Sequence, residues 1–432
     1  MIRYRLTNDI GRSQPLNFIN YPSAWTYGTR TFMSFGAAAS GNDYDLYASY
    51  YNHVTRRWAS PVKIADALVK DDHGCPNVMV DNNGYIHVFH ACGYDNYALK
   101  HYKSDMPLNI QSWTAQTNIE GATYDIVWSY PKAVREGDAV WFLYSYSTSS
   151  GGTVVRRVYF KKSTDNGANW GASQLIIENG TAGDTGYGVY PGHVEKHGSK
   201  IHMTWTYVSN EDATYPTRHV YYAYLNTNDS HMYDINNTDL GTSITYSEAN
   251  SNCKIVDSGT DGVGLHALHV DSDGYPWIMY LKGSGITTKS WTYYHTRWDG
   301  SAWTTPAAIT TTGNSAGGNV LEGRNYQDFI IHSLTEARAF VTVAPGGQRG
   351  GDIEEWLWRP NQWTKLHTIL SEDDAGAALN SPMVPYNHND DLELLFTQIN
   401  VGDYAIALDV YAMVTLTREN KAFYDIIKVV SR

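Results

Sequence analysis

Basic residues are scarce in this chain of 432 residues, and they never cluster. Lysine and arginine number 32 against 44 acidic residues, which gives a formal net charge of −12. No run of basic residues is longer than a pair. Proteins that bind nucleic acid or an anionic membrane present a basic patch, so we expect neither partner. An acidic polymer would have to bind in a locally basic cleft.

Cysteine and long hydrophobic runs are nearly absent as well. The three cysteines, Cys75, Cys92 and Cys253, are too few for a disulfide framework or a cysteine-based zinc site. No run of 18 apolar residues exists, and the N-terminal MIRYRLTNDIGRSQP lacks the apolar segment of a signal peptide. We therefore expect no membrane-spanning helix.

Aromatic residues with a polar edge are abundant. The chain has 34 Tyr and 14 Trp against 10 Phe, and aromatic residues make up 13% of it. Such rings pack in a core and also contact hydroxylated ligands, which favours a protein that binds sugars. With 42% apolar residues, the chain can bury a substantial core.

Alternation of apolar and polar residues between Gly, Asn and Asp turns indicates an all-β protein. Units of strand, turn and strand begin near His73, Trp128, Gly188, Gly264, Arg324 and Asn380, at intervals of 55 to 76 residues. One more unit begins near residue 17, which makes seven. Because a lone four-stranded sheet exposes two edges, radial closure is favoured.

The sequence therefore predicts a seven-bladed β-propeller of four-stranded antiparallel blades, as a single domain over residues 1–432. Residues 1–16 are predicted to add an edge strand that closes the ring, and the last blade to come from residues 380–432 alone. The stretch STDNGANW, residues 163–170, matches the Asp-box pattern S-x-D-x-G-x-x-W. In that pattern the Asp caps turn amides and the Trp packs between strands, so it indicates a blade turn and says nothing about activity.

The first strand of each propeller blade lines the central channel, and its beginning faces a shared funnel. Candidate functional residues at these beginnings are His73, Asn77, Trp128, Tyr130, Lys132, Tyr190, His193, His266 and Arg324.

Several stretches resemble a known family, in order and over nearly the whole chain. They are DDHGCP, DNNGYIHVFH, SYPK, VYPGHVEKHGSKIHMTW, HVDSDGYPWIMY and SPMVPYNHNDD. They resemble the BNR-repeat family that includes the propeller-type ulvan lyases. The resemblance implies a polysaccharide lyase that cleaves a uronic-acid-containing polysaccharide by β-elimination with His and Tyr. It also implies an extracellular protein, either secreted or carried by a phage.

Three residues match the family's active-site positions. His73 matches its first active-site histidine, Tyr130 the tyrosine of its TYP segment, and Tyr190 the tyrosine of its PY segment. The chain departs from the family at Gly93 in place of a second histidine, at Ser145 or Tyr146 in place of an arginine, and at Ser381 in place of the arginine of an RPV segment.

Elimination requires removal of the C5 proton, neutralisation of the uronate carboxylate, and protonation of the departing oxygen. We expect His73 and Tyr190 to transfer protons, with Tyr130 as the next candidate. The group that neutralises the carboxylate stays open among Lys132, His193, Arg157, Arg218 and Arg324. Asn77, Trp128 and His266 are further candidates for substrate binding.

No cofactor and no metal site are predicted. Asp71, Asp72, His73 and His90 could group around a cation, but no HExxH, EF-hand or His-x-His pattern accompanies them, and a structural cation is left open. His87 and His202 recur at equivalent strand positions, which favours a structural role for both.

Two other functions compete with the lyase. A glycoside hydrolase acting on a uronate- or rhamnose-containing glycan needs two carboxyl groups across the scissile bond. Glu195 and Asp328 stand at blade entrances, but neither has an obvious partner in the sequence. A non-catalytic glycan-binding propeller is the second alternative. In every case the expected partner is a polysaccharide, acidic in the lyase case, and the oligomeric state is not predicted.

Overall fold

The computed structural model describes most of the chain. The described residues are 21–40, 43–69, 75–91, 97–123, 126–150, 153–180, 187–209, 217–264, 266–284, 290–310, 326–344, 350–359, 362–389, 391–399, 407–418 and 421–429. Among them, no helix is long and apolar enough to span a membrane. The predicted closing strand in residues 1–16 lies outside the described residues.

The structure confirms the predicted fold class: it is all-β, with seven antiparallel blades of four strands arranged as a β-propeller. Blade 1 is β1 Ala24–Tyr27, β2 Arg30–Ser40, β3 Asp43–Asn52 and β4 Arg57–Trp58, with β5 Val62–Val69 also paired to β3. Blade 2 is β6 Asn77–Val80, β7 Ile86–His90, β8 Lys100–Ser104 and β9 Trp113–Ala115. Blade 3 is β10 Ile126–Glu136, β11 Ala139–Ser150, β12 Thr153–Ser163 and β13 Gln174–Ile177.

Blade 4 is β14 Tyr187–His197, β15 Lys200–Ser209, β16 Thr217–Asn226 and β17 Met232–Tyr233, with β18 Lys254–Val256 also paired to β16. A short helix, α1 Tyr246–Glu248, and a π-helical turn, Ala249–Cys253, precede β18. Blade 5 is β19 Gly262–Val263, β21 Pro276–Ser284, β22 Ser290–Arg297 and β23 Ala307–Ala308, with β20 Ala267–Val270 also paired to β21. Blade 6 is β24 Gln327–Ser333, β25 Glu336–Val343, β26 Asp352–Arg359 and β27 Gln362–Leu370, followed by α2 Glu372–Ala375. Blade 7 is β28 Leu379–Met383, β29 Leu392–Ile399, β30 Ala407–Arg418 and β31 Lys421–Val429.

The described residues divide into two compact units. Unit 1 consists of the described residues up to Phe142, of Lys162–Gly171 and of the described residues from Ile369 onward. It therefore holds blades 1, 2 and 7. Unit 2 takes Leu143–Lys161 and Ala172–Thr368, and so holds blades 4 and 5 and nearly all of blade 6. Blade 3 contributes strands to both.

Within unit 1, the last blade is joined to the first. The Tyr386 amide donates to the Ala24 carbonyl, and the Thr26 amide donates to the Tyr386 carbonyl, each at 2.9 Å. The Tyr386 ring stacks on the Trp25 indole with 4.2 Å between centroids. Backbone pairing and a buried aromatic stack thus connect the two ends of the sheet series.

The Asp box in unit 1 forms the expected turn. The Asp165 carboxylate accepts from the Asn169 amide at 2.9 Å, and the Ser163 hydroxyl accepts from the Gly167 amide at 2.9 Å. Trp170 contacts Phe89 edge-on, with 6.1 Å between centroids. The Asp caps the turn and the Trp packs on neighbouring strands, as the pattern predicts.

Within unit 2, the bulge in β14 positions the candidate site. The register between β14 and β15 shifts between Pro191 and Val194. At Gly192 a Cβ atom would lie 2.4 Å from the Thr204 hydroxyl and 3.0 Å from the His266 carbonyl, so no larger residue fits there without a shift. The His193 amide donates to the same carbonyl at 3.2 Å, which ties β14 to blade 5.

Candidate active site

Tyr190 on β14, a predicted proton-transfer residue, is partly exposed. The guanidinium of Arg156 on β12 lies over its ring, with Cζ 4.0 Å from the centroid. Arg156 is held in place by a hydrogen bond from its Nε to the Ser147 hydroxyl at 3.1 Å. Both stacking and this bond orient the guanidinium beside the phenol. The pair places a phenol, a group able to transfer a proton, next to a positive charge.

The sequence permits this approach because Gly188 precedes Tyr190 by two residues on β14. A Cβ at Gly188 would lie 3.2 Å from the Cβ of Arg156, which is tighter than ordinary side-chain contact. Glycine at this position therefore leaves room for the arginine stem beside the strand that carries Tyr190.

The two arginines of unit 2 that the sequence favoured are engaged elsewhere. Arg157 donates from Nε to the Asn179 side-chain oxygen at 2.7 Å. Arg218 donates to the Gly259 carbonyl at 3.5 Å, in an exposed contact. The cation beside Tyr190 is thus Arg156, which the sequence analysis did not single out.

A second group of ionisable residues in unit 2 centres on His269 of β20. Its Nδ1 lies 2.7 Å from Oε2 of Glu195, and its Nε2 lies 2.8 Å from Oδ1 of Asp328. Burial opposes the charged imidazolium, but the charges of Asp328 and Glu195 outweigh it and raise the pKa of His269 to about 10. One imidazolium therefore joins two carboxylates from different blades.

His193 and His266 flank this group. His193 is fully buried, and its ring lies edge-on to His269 with 6.1 Å between centroids. Burial lowers the pKa of His266 to about 3, and neither of its ring nitrogens has a hydrogen-bond partner among the described residues. His266 is therefore a neutral residue whose carbonyl holds His193.

The described candidates of unit 1, which are Asn77, Trp128, Tyr130 and Lys132, are all buried. Both ends of the Asn77 side-chain amide bind backbone: it donates to the Pro22 carbonyl at 2.7 Å and accepts from the Ala133 amide at 3.1 Å. These bonds link three successive blades and explain why an asparagine stands at this position. The Trp128 indole donates to the Gly121 carbonyl at 3.1 Å, and 7% of the residue is exposed.

Tyr130 and Lys132 share β10 in unit 1. Tyr130 is fully buried and has φ of +57°, a left-handed conformation that is rare for an aromatic residue, and strained residues of this kind cluster at active sites. Lys132 is 1% exposed, and burial lowers its pKa to about 7. A lysine in this state can switch between charged and neutral forms near physiological pH.

Two predicted residues, His73 and Arg324, lie outside the described residues, as do Asp71 and Asp72. His90 is 1% exposed, and burial lowers its pKa to about 3. His87 and His202 are buried and bonded to His101 and Tyr222, at 2.9 and 2.6 Å. These contacts are typical of structural histidines.

Two residues of the candidate site, Arg156 and His269, were not predicted from the sequence. The sequence does contain the adjacent pair Arg156–Arg157. Because neighbouring residues on a strand face opposite sides, Arg156 was the alternative to Arg157 for the opposite face. His269 gave no such signal, because its partners Glu195 and Asp328 lie 74 and 59 residues away.

Comparison with known proteins gives related results by sequence and by structure. The model of the BNR repeat-containing family matches residues 25–309. The chain is 22% identical over 429 residues to an ulvan lyase of Alteromonas sp. (strain LOR), covering 88% of this chain and 81% of that protein. It is 24% identical over 413 residues to an ulvan lyase of Nonlabens ulvanivorans, covering 86% and 82%. A solved ulvan lyase bound to -[GlcA(1-4)Rha3S]- has the same fold, with a TM-score of 0.75, 18% identity and 94% of each chain covered.

Proposed function

The chain belongs to the BNR repeat-containing family, and on that premise we propose that it is a polysaccharide lyase that cleaves a uronate-containing polysaccharide by β-elimination. Similarity to ulvan lyases along most of the chain supports this class of reaction. The single structural observation that carries it is the pair of Tyr190 and Arg156, a partly exposed phenol beside a guanidinium. An extracellular place of action, secreted or phage-borne, fits a polymeric substrate.

Arg156 supplies the charge that elimination requires. When the C5 proton leaves, negative charge spreads onto the uronate carboxylate, and a fixed cation stabilises that charge more in the transition state than in the bound substrate. The guanidinium presents paired N–H groups that match the geometry of a carboxylate. Its bond to Ser147 fixes it before substrate arrives.

Tyr190 transfers the C5 proton in this proposal. The C5 proton passes to Tyr190, the C4–C5 double bond forms as the C4–O4 bond breaks, and Tyr190 or His73 protonates the departing oxygen. His73 keeps its proposed part as a second proton-transfer residue. Tyr130 remains the alternative tyrosine, supported by its strained backbone.

The arrangement around His269 favours elimination over hydrolysis. A glycoside hydrolase needs one carboxylic acid that donates a proton and a second, ionised carboxylate. Glu195 and Asp328 both accept a hydrogen bond from the same imidazolium, so the two carboxylates are bonded to one cation instead of facing a scissile bond from opposite sides. The sequence offered no obvious partner for either carboxylate, and in the structure the two are linked through His269.

The proposal is tested by following the far-ultraviolet absorbance of the unsaturated uronate with a panel of uronate polymers, ulvan among them. We expect absorbance to rise with at least one polymer and to be lost in Tyr190→Phe. Tyr294→Phe is the matched control, since Tyr294 is a partly exposed tyrosine on β22 that stacks on Tyr280 at 5.8 Å. Release of reducing ends without absorbance would show hydrolysis instead, and binding without either would show a glycan-binding protein.

A further inference from the structure

Two histidines and one aspartate converge in unit 2. His193, His269 and Asp328 each offer one ligand atom, and these atoms all lie within 4.8 Å of one another. His193 and Asp328 are fully buried, while the His269 side chain is 12% exposed, so one side of the cluster is open to solvent. The residues come from blades 4, 5 and 6.

The chemistry of the cluster suits a transition metal. Two imidazole nitrogens and a carboxylate oxygen are the ligands of many three-residue sites for zinc and its neighbours. A bond of about 2.1 Å to each ligand in tetrahedral geometry separates ligand atoms by about 3.4 Å. On metal binding, Nε2 of His269 and Oδ1 of Asp328, now 2.8 Å apart, would separate to about 3.4 Å, and ligand atoms that now lie up to 4.8 Å apart would move closer together.

Further contacts already orient the ligands as a metal site requires. Oε2 of Glu195 lies 2.7 Å from Nδ1 of His269, which leaves Nε2 as the atom directed at Asp328. A carboxylate on the far nitrogen of a histidine is the usual outer partner of a metal-binding imidazole. The Phe329 amide donates to Oδ1 of Asp328 at 2.9 Å, and the Phe329 ring packs edge-on against His269 at 4.8 Å.

The charge balance also favours a cation. Two carboxylates face the His269 ring, and His193 adds a second imidazole beside it. A divalent ion bound here would offset the charge of these two buried or half-buried carboxylates.

We propose that His193, His269 and Asp328 bind one divalent transition-metal ion, zinc being the first choice, with Glu195 as the hydrogen-bond partner that orients His269. The bound ion joins the first strands of three successive blades. The argument for this site does not rest on the proposed lyase activity, and the site departs from the sequence-based expectation that no metal is bound.

The test uses the full chain, stripped of metal and free of any affinity tag. Zn²⁺ is titrated by calorimetry, and Co²⁺ is added to a second sample for its visible spectrum. We expect one ion per chain and the intense Co²⁺ bands of a four- or five-coordinate site. His193→Gln, His269→Gln and Asp328→Asn should each abolish this binding, and Glu195→Gln should weaken it about 10- to 100-fold.

The matched control is His231→Gln. His231 also pairs with a carboxylate, Asp239 at 3.0 Å, but on an exposed turn of unit 2. This variant should bind like the wild type. A wild-type protein that binds no Zn²⁺ and gives only the weak spectrum of hydrated Co²⁺ would overturn the proposal, as would equal loss in His231→Gln. If a variant of a buried ligand does not fold, two measurements still test the proposal. They are the Co²⁺ spectrum of the wild type and the Zn²⁺ affinity of Glu195→Gln, since Glu195 is partly exposed.

Discussion

At the scale of single residues, the proposed site pairs Tyr190 of β14 with Arg156 of β12. Tyr190 follows from the family motif, whereas the choice between Arg156 and Arg157 depends on which face of β12 packs inward. The register of β12 against β13 shifts between Val158 and Tyr159, so simple alternation cannot be extended along the strand. The contact that selects Arg156 is with a strand of the next blade, and no local pattern encodes it.

Arg156 therefore gives the most discriminating substitution. We expect Arg156→Gln to lower kcat about 10²- to 10³-fold, because one stabilising contact to developing negative charge is lost. Initial rates from unsaturated-uronate absorbance measure this. Arg297→Gln is the control, since Arg297 also lies over an aromatic ring, that of Trp277 at 5.2 Å. Full activity in Arg156→Gln together with a loss in Arg157→Gln would reassign the role to Arg157.

Lys132 makes a prediction about stability and pH. Burial lowers its pKa from 10.5 to about 7, while the unfolded chain keeps the ordinary value. Between these pH values the unfolded chain holds a proton that the folded chain has released, so this residue makes the free energy of unfolding rise with pH. The slope is about 1.4 kcal/mol per pH unit.

We accordingly expect Lys132→Met to be more stable than the wild type at pH 7, with the difference shrinking as the pH approaches 10.5. Urea unfolding at several pH values measures it. A difference that does not change with pH would show that the lysine stays charged in the folded protein.

At the scale of elements, the strands and turns were largely predictable, and the bulge was not. Alternation and the Asp box are local patterns, so they indicate strands and a blade turn without knowledge of any distant contact. The bulge in β14 depends instead on contacts of Gly192 with Thr204 and His266, which lie 12 and 74 residues away. Such a feature is fixed by tertiary packing.

Gly192→Ala tests that packing. The added methyl group meets the Thr204 hydroxyl and the His266 carbonyl, so we expect a loss of about 1–3 kcal/mol in the free energy of unfolding. Gly121→Ala is the control, because nothing lies within 4 Å of a Cβ there; its effect should stay within about 0.5 kcal/mol. Equal stability of the two variants would mean that β14 adjusts without strain.

At the scale of the whole molecule, repetition of one sheet seven times is what the sequence conveyed best. A period of 55 to 76 residues is visible without any contact being known. The period does not predict which side chains join successive sheets, because different residues lie at each junction. Asn77 bonds to two neighbouring blades, while Trp25 and Tyr386 join the last blade to the first.

The junction between blades 7 and 1 should dominate stability. Trp25 is 1% exposed, so Trp25→Ala leaves a cavity and removes the stack on Tyr386; we expect a loss of about 3–5 kcal/mol. Trp113→Ala, at a partly exposed position on β9, should lose clearly less. Guanidinium unfolding compares the two. A smaller effect at Trp25 than at Trp113 would contradict the importance of this junction.

The central claim is that the chain breaks a uronate polymer without adding water. The most direct measurement is the mass of the fragments released from a defined uronate oligosaccharide. Elimination predicts that the two fragment masses sum to the mass of the parent, because a double bond forms in place of the added water. Fragment masses that exceed the parent by one water, or no cleavage of any uronate polymer, would contradict the claim.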